Sequence, residues 1–228
     1  MNAFVQPNTT IEDIRKQFIG TDLWLKAPNG KASNLNEHQW LQVRTPAFKA
    51  WFGDWEHTPK LASKIVDENG EPLVVYHGTP SYFYEFAVFS IYGEGIFFAE
   101  HRYVSERYAD RSGEPGVIKA VFLNIRNPKD IKTVAYTFAG FLGADARLKK
   151  MSVKNKQDYP EYENTPYRYK ELVREKLQAK KHDGMVLEDH SWENHIDNSR
   201  QFVVFQPNQI KSAFFNNGLF TLSDDINL

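Results

Sequence analysis

The feature that most narrows what this chain can fold into is the stretch 73–109, LVVYHGTPSYFYEFAVFSIYGEGIFFAEHRYVSERYA. Val74, Val75 and Tyr76 are β-branched and aromatic, a run that suits a buried strand. It ends at His77-Gly78-Thr79, where a side chain able to donate and accept hydrogen bonds stands beside a residue that lets a ligand approach the backbone. Gly93 and Gly95 flank the start of a second apolar strand, Ile96-Phe97-Phe98. A helix is predicted over 101–112. Within it Val104, Ser105, Tyr108 and Ala109 are three or four residues apart and share a face. A hydroxyl and an aromatic ring are thus presented side by side, which suits a flat aromatic ligand with polar edges.

The order HG(T/S), then GI(Y/F)FA(D/E), then SxxY resembles the first two motifs of the ADP-ribosyltransferase fold, in the branch typified by diphtheria toxin and the poly(ADP-ribose) polymerases. A third matching block is HDGMVLED followed by QFVVFQPNQIKSA, within 182–213. The stretch KIVDENGEPLVVYHGT, Lys64 to Thr79, is similar to transferase-like domains of phage and prophage polyvalent proteins. Each motif alone is weak; three in the right order carry the resemblance, which covers roughly residues 61–215. It implies an α+β fold, an ADP-ribosyltransferase-like split β-sandwich with a helical N-terminal appendage.

Residues 1–60 form that appendage. A helix starts near Thr10, with Ile11, Ile14, Phe18 and Ile19 on one stripe. LNEHQWLQVRTPAFKAWFGDW then concentrates Trp40, Leu41, Val43, Phe48, Trp51, Phe52 and Trp55 in a short helical segment, a payload that packs onto the core or else docks another protein. The transferase-like domain spans 61–215. Asp67-Glu68-Asn69-Gly70 reads as a hairpin turn. VIKAVFLNI, 117–125, is the longest strand-like run, and Asn127-Pro128 closes it. Residues 133–181 are a mainly helical insertion whose clearest helix is YRYKELVREKLQAKK, and its mixed charges suit a solvated face. Strands resume at GMVLE and QFVVF, and 216–228 form a mobile tail.

The 28 basic and 29 acidic residues nearly cancel, giving no global field for nucleic acid or membrane. With no cysteine there is no disulfide frame, thiolate zinc site or cysteine nucleophile. No signal peptide or membrane-length apolar run is present, so a cytoplasmic protein is expected, or one delivered into a target cell without an N-terminal signal. GxGxxG, GxxxxGK(S/T) and GxSxG are missing, against a Rossmann unit, a P-loop nucleotidase and a serine hydrolase.

The resemblance implies NAD as substrate. Loss of nicotinamide leaves an oxocarbenium-like ribose, so catalysis rests on positioning and electrostatics, as in glycoside cleavage. It implies that His77 bonds the adenosine-side ribose with Thr79 nearby. The Gly78 backbone and the Ser105 hydroxyl then hold the carboxamide, and Tyr108 stacks on the cationic ring. Phe97 replaces the family's middle tyrosine, keeping the ring and losing the hydroxyl. Gln201 stands in the place of the catalytic glutamate. It can bond a ribose hydroxyl but supplies no charge, a loss on the order of 2.7–4 kcal/mol by analogy with a deleted oxyanion-hole donor. Three readings stay open: a natural enzyme using another acid, an inactivating Glu-to-Gln change, or a binding module. The preceding loop, DHSWENHIDNSR, is where the family reads its acceptor, here through Asp189, Trp192 and Glu193, with Glu188 and Asp197 as further carboxylates. His182, His190 and His195 match no compact metal-ligand motif.

The expectation is an enzyme, a mono-ADP-ribosyltransferase effector or toxin of bacterial or phage origin. It acts on a macromolecule, protein favoured and nucleic acid open, and a toxin of this kind is expected to have an immunity protein. The competing readings are an NAD-binding module without transfer and an NAD glycohydrolase.

Overall fold

The computed structural model describes residues 9–87, 95–110, 115–132, 174–175, 177–188, 199–216 and 218–228. The N-terminal region contributes three short helices. α1 (Ile11–Phe18) opens on a capping box in which Thr10 and Asp13 satisfy each other's backbone N–H groups. Ile14 is buried and Ile11 and Phe18 pack beside it. Ile19, expected on the same stripe, is instead exposed. It is the C-cap residue, where ψ 131° turns the following chain out of the helix. α2 (Glu37–Gln42) is capped by Asn36 and α3 (Pro46–Phe52) by Thr45 with proline in its first turn.

These helices deliver the aromatic residues inward. Trp40, Phe48, Trp51, Phe52 and Trp55 share one cluster with Phe122, Ala213 and Phe220 from the rest of the chain. Fully burying a side chain such as Phe48 or Phe52 contributes about 1.5–3 kcal/mol. The indoles meet their polar requirement on backbone carbonyls: Trp40 donates to Lys26, Trp51 to Asn208 and Trp55 to Val43, all at 2.9–3.0 Å. Arg44 is buried among them, 3.7 Å from the Trp40 ring centre and paired with fully buried Glu71 at 3.0 Å. Glu71 follows the 67–70 turn, which the structure bears out as a tight reversal closed by the Gly70 N–H on the Asp67 carbonyl, with Val66 bridging Pro72. Asn34 ties the N-terminal region to this turn through Asp67 and Glu68.

The core is a sheet of seven strands: β1 (Val75–Thr79), β2 (Ile96–Ala99), β3 (Val117–Leu123), β4 (Pro128–Lys132), β5 (Gly184–Glu188), β6 (Gln201–Val204) and β7 (Ile210–Ser212), with α4 (Arg102–Ala109) after β2. Their order is β4-β5-β6-β2-β1-β3-β7, antiparallel except for β4 with β5. β1 pairs with β3 over five positions and β2 with β6 over four, yet β1 and β2 share one pair, Tyr76 opposite Ala99. The sheet is therefore split into β4-β5-β6-β2 and β1-β3-β7, the α+β architecture expected from the sequence.

β1 ends at Thr79, within the His77-Gly78-Thr79 stretch where the sequence places its end. Two sequence expectations are corrected. Pro128 does not end a strand; it begins β4, an edge strand whose first position needs no ladder N–H. Residues 218–228 are docked rather than mobile: Phe220 and Ile226 are buried, and Ile226 hydrogen-bonds Ser212 and Tyr84. Of the 133–181 insertion most lies outside the described residues; 177–179 are helical.

Candidate functional site

The motif residues gather where the two halves of the sheet part. The β1–β2 ladder is the single pair Tyr76 and Ala99, and beyond it a side chain links the two strands. That side chain is His77, its Nδ1 lying 2.8 Å from the Phe97 carbonyl. A carbonyl only accepts, so Nδ1 carries the proton and Nε2 keeps a lone pair. Phe86, Phe98 and Phe83 surround the imidazole, with ring centres 4.9, 5.4 and 6.4 Å away. Burial pushes its pKa below the ordinary histidine value, the Phe97 carbonyl opposes this, and the Lys119 charge adds to the lowering. His77 is thus neutral at physiological pH.

Gly78 faces α4 at very close range. A Cβ there would lie 1.8 Å from the Ser105 carbonyl oxygen and 3.0 Å from the Ala109 nitrogen. The helix is pinned to β1 by a hydrogen bond from Ser105 Oγ to the Tyr76 carbonyl, 2.9 Å. Ser105 is 2% exposed and its proton is committed, leaving oxygen lone pairs for any further partner. Tyr108, one turn later, is half-buried. Thr79 is buried, and its hydroxyl exchanges hydrogen bonds with the Ser81 backbone, forming the turn that leaves β1.

Gln201 opens β6 opposite Ala99, in the row that continues to Tyr76. It is 7% exposed, and its side-chain amide makes no hydrogen bond to another described residue. The backbone on either side is clamped by the Arg200–Glu100 pair: Arg200 donates to Glu100 from Nη2 at 2.7 Å and from Nε and the backbone N at 3.1 Å. Burial raises the Glu100 pKa, but these bonds and the Arg200 charge outweigh it, holding it below the ordinary glutamate value. Phe97 packs on Ile131, Met185, Leu187, Val203 and Phe205.

The structure therefore brings His77, Gly78, Phe97 and Ser105 into direct or backbone contact. Gln201 lies across β2 from β1, roughly 10 Å at ordinary strand spacing. Asp189, Trp192, Glu193, Asp197, His190 and His195 lie outside the described residues. His182 Nδ1 bonds the Asn127 carbonyl at 3.2 Å. Among the described residues a carboxylate–histidine group forms elsewhere, at Asp54, Glu56 and His57, and Lys49 and Arg44 already neutralise its acids. A groove of about 350 Å³ borders Tyr76 and Glu100 beside the N-terminal region, but none of His77, Gly78, Ser105, Tyr108 or Gln201 lines it.

Sequence reasoning missed Phe83, Phe86, Lys119 and the Glu100–Arg200 clamp. A lysine within the apolar run VIKAVFL is the one signal that pointed to Lys119, which is buried and donates to the Phe83 carbonyl.

A seven-stranded sheet split beside a histidine strand, with a serine-bearing helix packed on that strand, defines an ADP-ribosyltransferase fold. The chain belongs to the family of ADP-ribosyltransferases in polyvalent proteins, whose family model matches residues 67–220. No curated protein and no solved structure matches the chain.

Proposed function

We propose that this chain is a mono-ADP-ribosyltransferase effector or toxin, of phage or bacterial origin, that moves ADP-ribose from NAD to a macromolecular acceptor. The observation that carries the reading is the neutral His77, fixed by the Phe97 carbonyl at the seam of a fold whose family uses NAD. With Nδ1 committed, Nε2 accepts a hydrogen bond from the adenosine-side ribose. Thr79 shapes the turn beside it. The Gly78 backbone and Ser105 meet the carboxamide, with the Ser105 oxygen accepting from its NH₂ group, and Tyr108 and Phe97 offer rings to the nicotinamide. Gln201 bonds a hydroxyl of the second ribose.

In the reaction the C1′–N bond breaks and its electron pair leaves with nicotinamide. An acceptor nucleophile then bonds C1′ and gives up its proton. Asp189, Trp192 and Glu193 are assigned to the acceptor, a protein before a nucleic acid given the balanced charge. An immunity protein accompanies such a toxin, and the setting is a cytoplasm, its own or a target cell's. Gln201 favours a second reading, an NAD-binding module without transfer, because a buried neutral amide leaves the oxocarbenium without a counter-charge. NAD hydrolysis is the third.

The test is nicotinamide release from NAD by the chain and its Gln201→Glu variant, with and without cell lysate. Transfer predicts lysate-dependent release, and the glutamate form is expected to be faster by about 10²–10³. Release without lysate dependence points to a glycohydrolase. Tight NAD binding with no release from the parent chain points to a binding module. Silence from both forms, with no NAD binding, refutes the site.

A further inference from the structure

The end of the chain reaches the site through one buried cation. Lys211, in β7, is fully buried, and its Nζ donates to the carbonyls of Ser223 and Asp225, each at 2.8 Å. The next residue is gripped on both sides. The Ser212 N–H donates to the Ile226 carbonyl at 2.7 Å, and the Ile226 N–H donates to the Tyr84 carbonyl at 3.1 Å. Asp225 also bridges Glu85. Ile226 shares an apolar cluster with Phe86 and Phe98, and those two rings pack on His77. Phe83, 4.8 Å from Phe86, has its carbonyl held by Lys119. Segment 82–86 is otherwise without helix or strand, so the chain end is its edge support.

Docking a tail needs no charge, and burying an ammonium is costly. A lysine that grips two backbone carbonyls fixes the path of the chain whatever side chains it carries. Residues 223–226 lie beyond the span matched by the family, while Lys211 and segment 82–86 lie within it.

We propose that Lys211 is a positioning residue for NAD: through residues 223–226 it fixes segment 82–86, whose Phe86 and Phe83 set the orientation of His77. The proposal rests on the reading that His77 receives a ribose hydroxyl.

The experiment compares Lys211→Met and Lys211→Arg with the parent chain. It reads NAD affinity by calorimetry, nicotinamide release kinetics, and the His77 ring ¹⁵N signals without NAD. Lys211→Met is expected to weaken NAD binding about tenfold, raising KM with little change in kcat, and to shift the His77 signals. Lys211→Arg, which can donate to both carbonyls, restores them. Should Lys211→Met not fold, Ile226→Val probes the same link with a loss of one methyl, and its His77 signals must still move. Unchanged His77 signals and NAD affinity in a folded Lys211→Met protein with a lowered Tm make the lysine merely structural and overturn the proposal. If the parent binds no NAD, the proposed function fails, and the ¹⁵N signals alone decide the Lys211 link.

Discussion

Arg44 offers the sharpest test of how the N-terminal region is joined to the sheet. Its side chain is 5% exposed and its partner Glu71 is fully buried. The guanidinium also donates to the Trp40 and Lys26 carbonyls and lies between the rings of Trp40 and Trp55. Arg44→Met keeps much of the volume but strands the Glu71 carboxylate, to which Ser33 Oγ still donates. Breaking such a pair from one side costs about 3–5 kcal/mol, and the lost ring contact adds roughly 1 kcal/mol. In a chain of this size each kcal/mol moves Tm by about 2–4 °C, so a fall of roughly 15 °C is expected, with a matching drop in the urea midpoint. Replacing both partners, Arg44→Met with Glu71→Leu, removes the stranded charge and recovers most of the loss. The reasoning is refuted if the single variant costs less than about 1 kcal/mol, or if the double variant is as weak as the two single losses added.

Gly78→Ala places a methyl 1.8 Å from the Ser105 carbonyl. Because backbone meets backbone, α4 must lift, at a cost of about 3 kcal/mol or more, and calorimetry should find NAD binding lost. His77, its pKa held down mainly by burial, stays neutral when folded while the unfolded chain titrates near 6.5. Its stabilising contribution is therefore complete above 6.5 and lost as pH falls below it; a His77 NMR titration centred at or above 6.5 contradicts this. Lys211, lowered from 10.5 to about 8 by burial against the opposing pull of Asp225 and Asp224, binds fewer protons folded than unfolded between those values. Stability from this group rises with pH across that window and is lost as pH falls through 8. Urea midpoints of the parent should climb relative to Lys211→Met from pH 8 to 10.5, and parallel profiles exclude the shift.

The parts legible in the sequence are those written locally. The run at 74–76, the glycine-flanked Phe97 strand and the Ser105–Tyr108 spacing each signal their element within a few residues. The inward packing of Trp40, Phe48 and Phe52 follows from composition, since so much aromatic surface must be buried. What the sequence hid is set by distant partners. Glu100 and Arg200 are a hundred positions apart, and neither motif predicts a clamp between them. The tail reads as polar because its docking uses backbone carbonyls, satisfied by a lysine twelve and fourteen residues earlier. Pro128 misled because a proline suits the first position of an edge strand as well as it suits a stop. The resemblance assigns Thr79 and Ser105 to a ligand, and in the structure each hydroxyl serves the fold.

The single rung between β1 and β2 makes the sheet mechanically uneven. Load applied across it is carried by one residue pair and one imidazole, where neighbouring strands spread it over four or five. Shear is cheapest along that line, and the two plates on either side carry different residues of the proposed site: Gln201 and Phe97 on one, His77 and Gly78 on the other. A molecule long enough to touch both plates acts as a strut. It stiffens the protein in proportion to how well it fits, so slowed amide exchange at Tyr76 and Ala99 reports occupancy before any chemistry occurs.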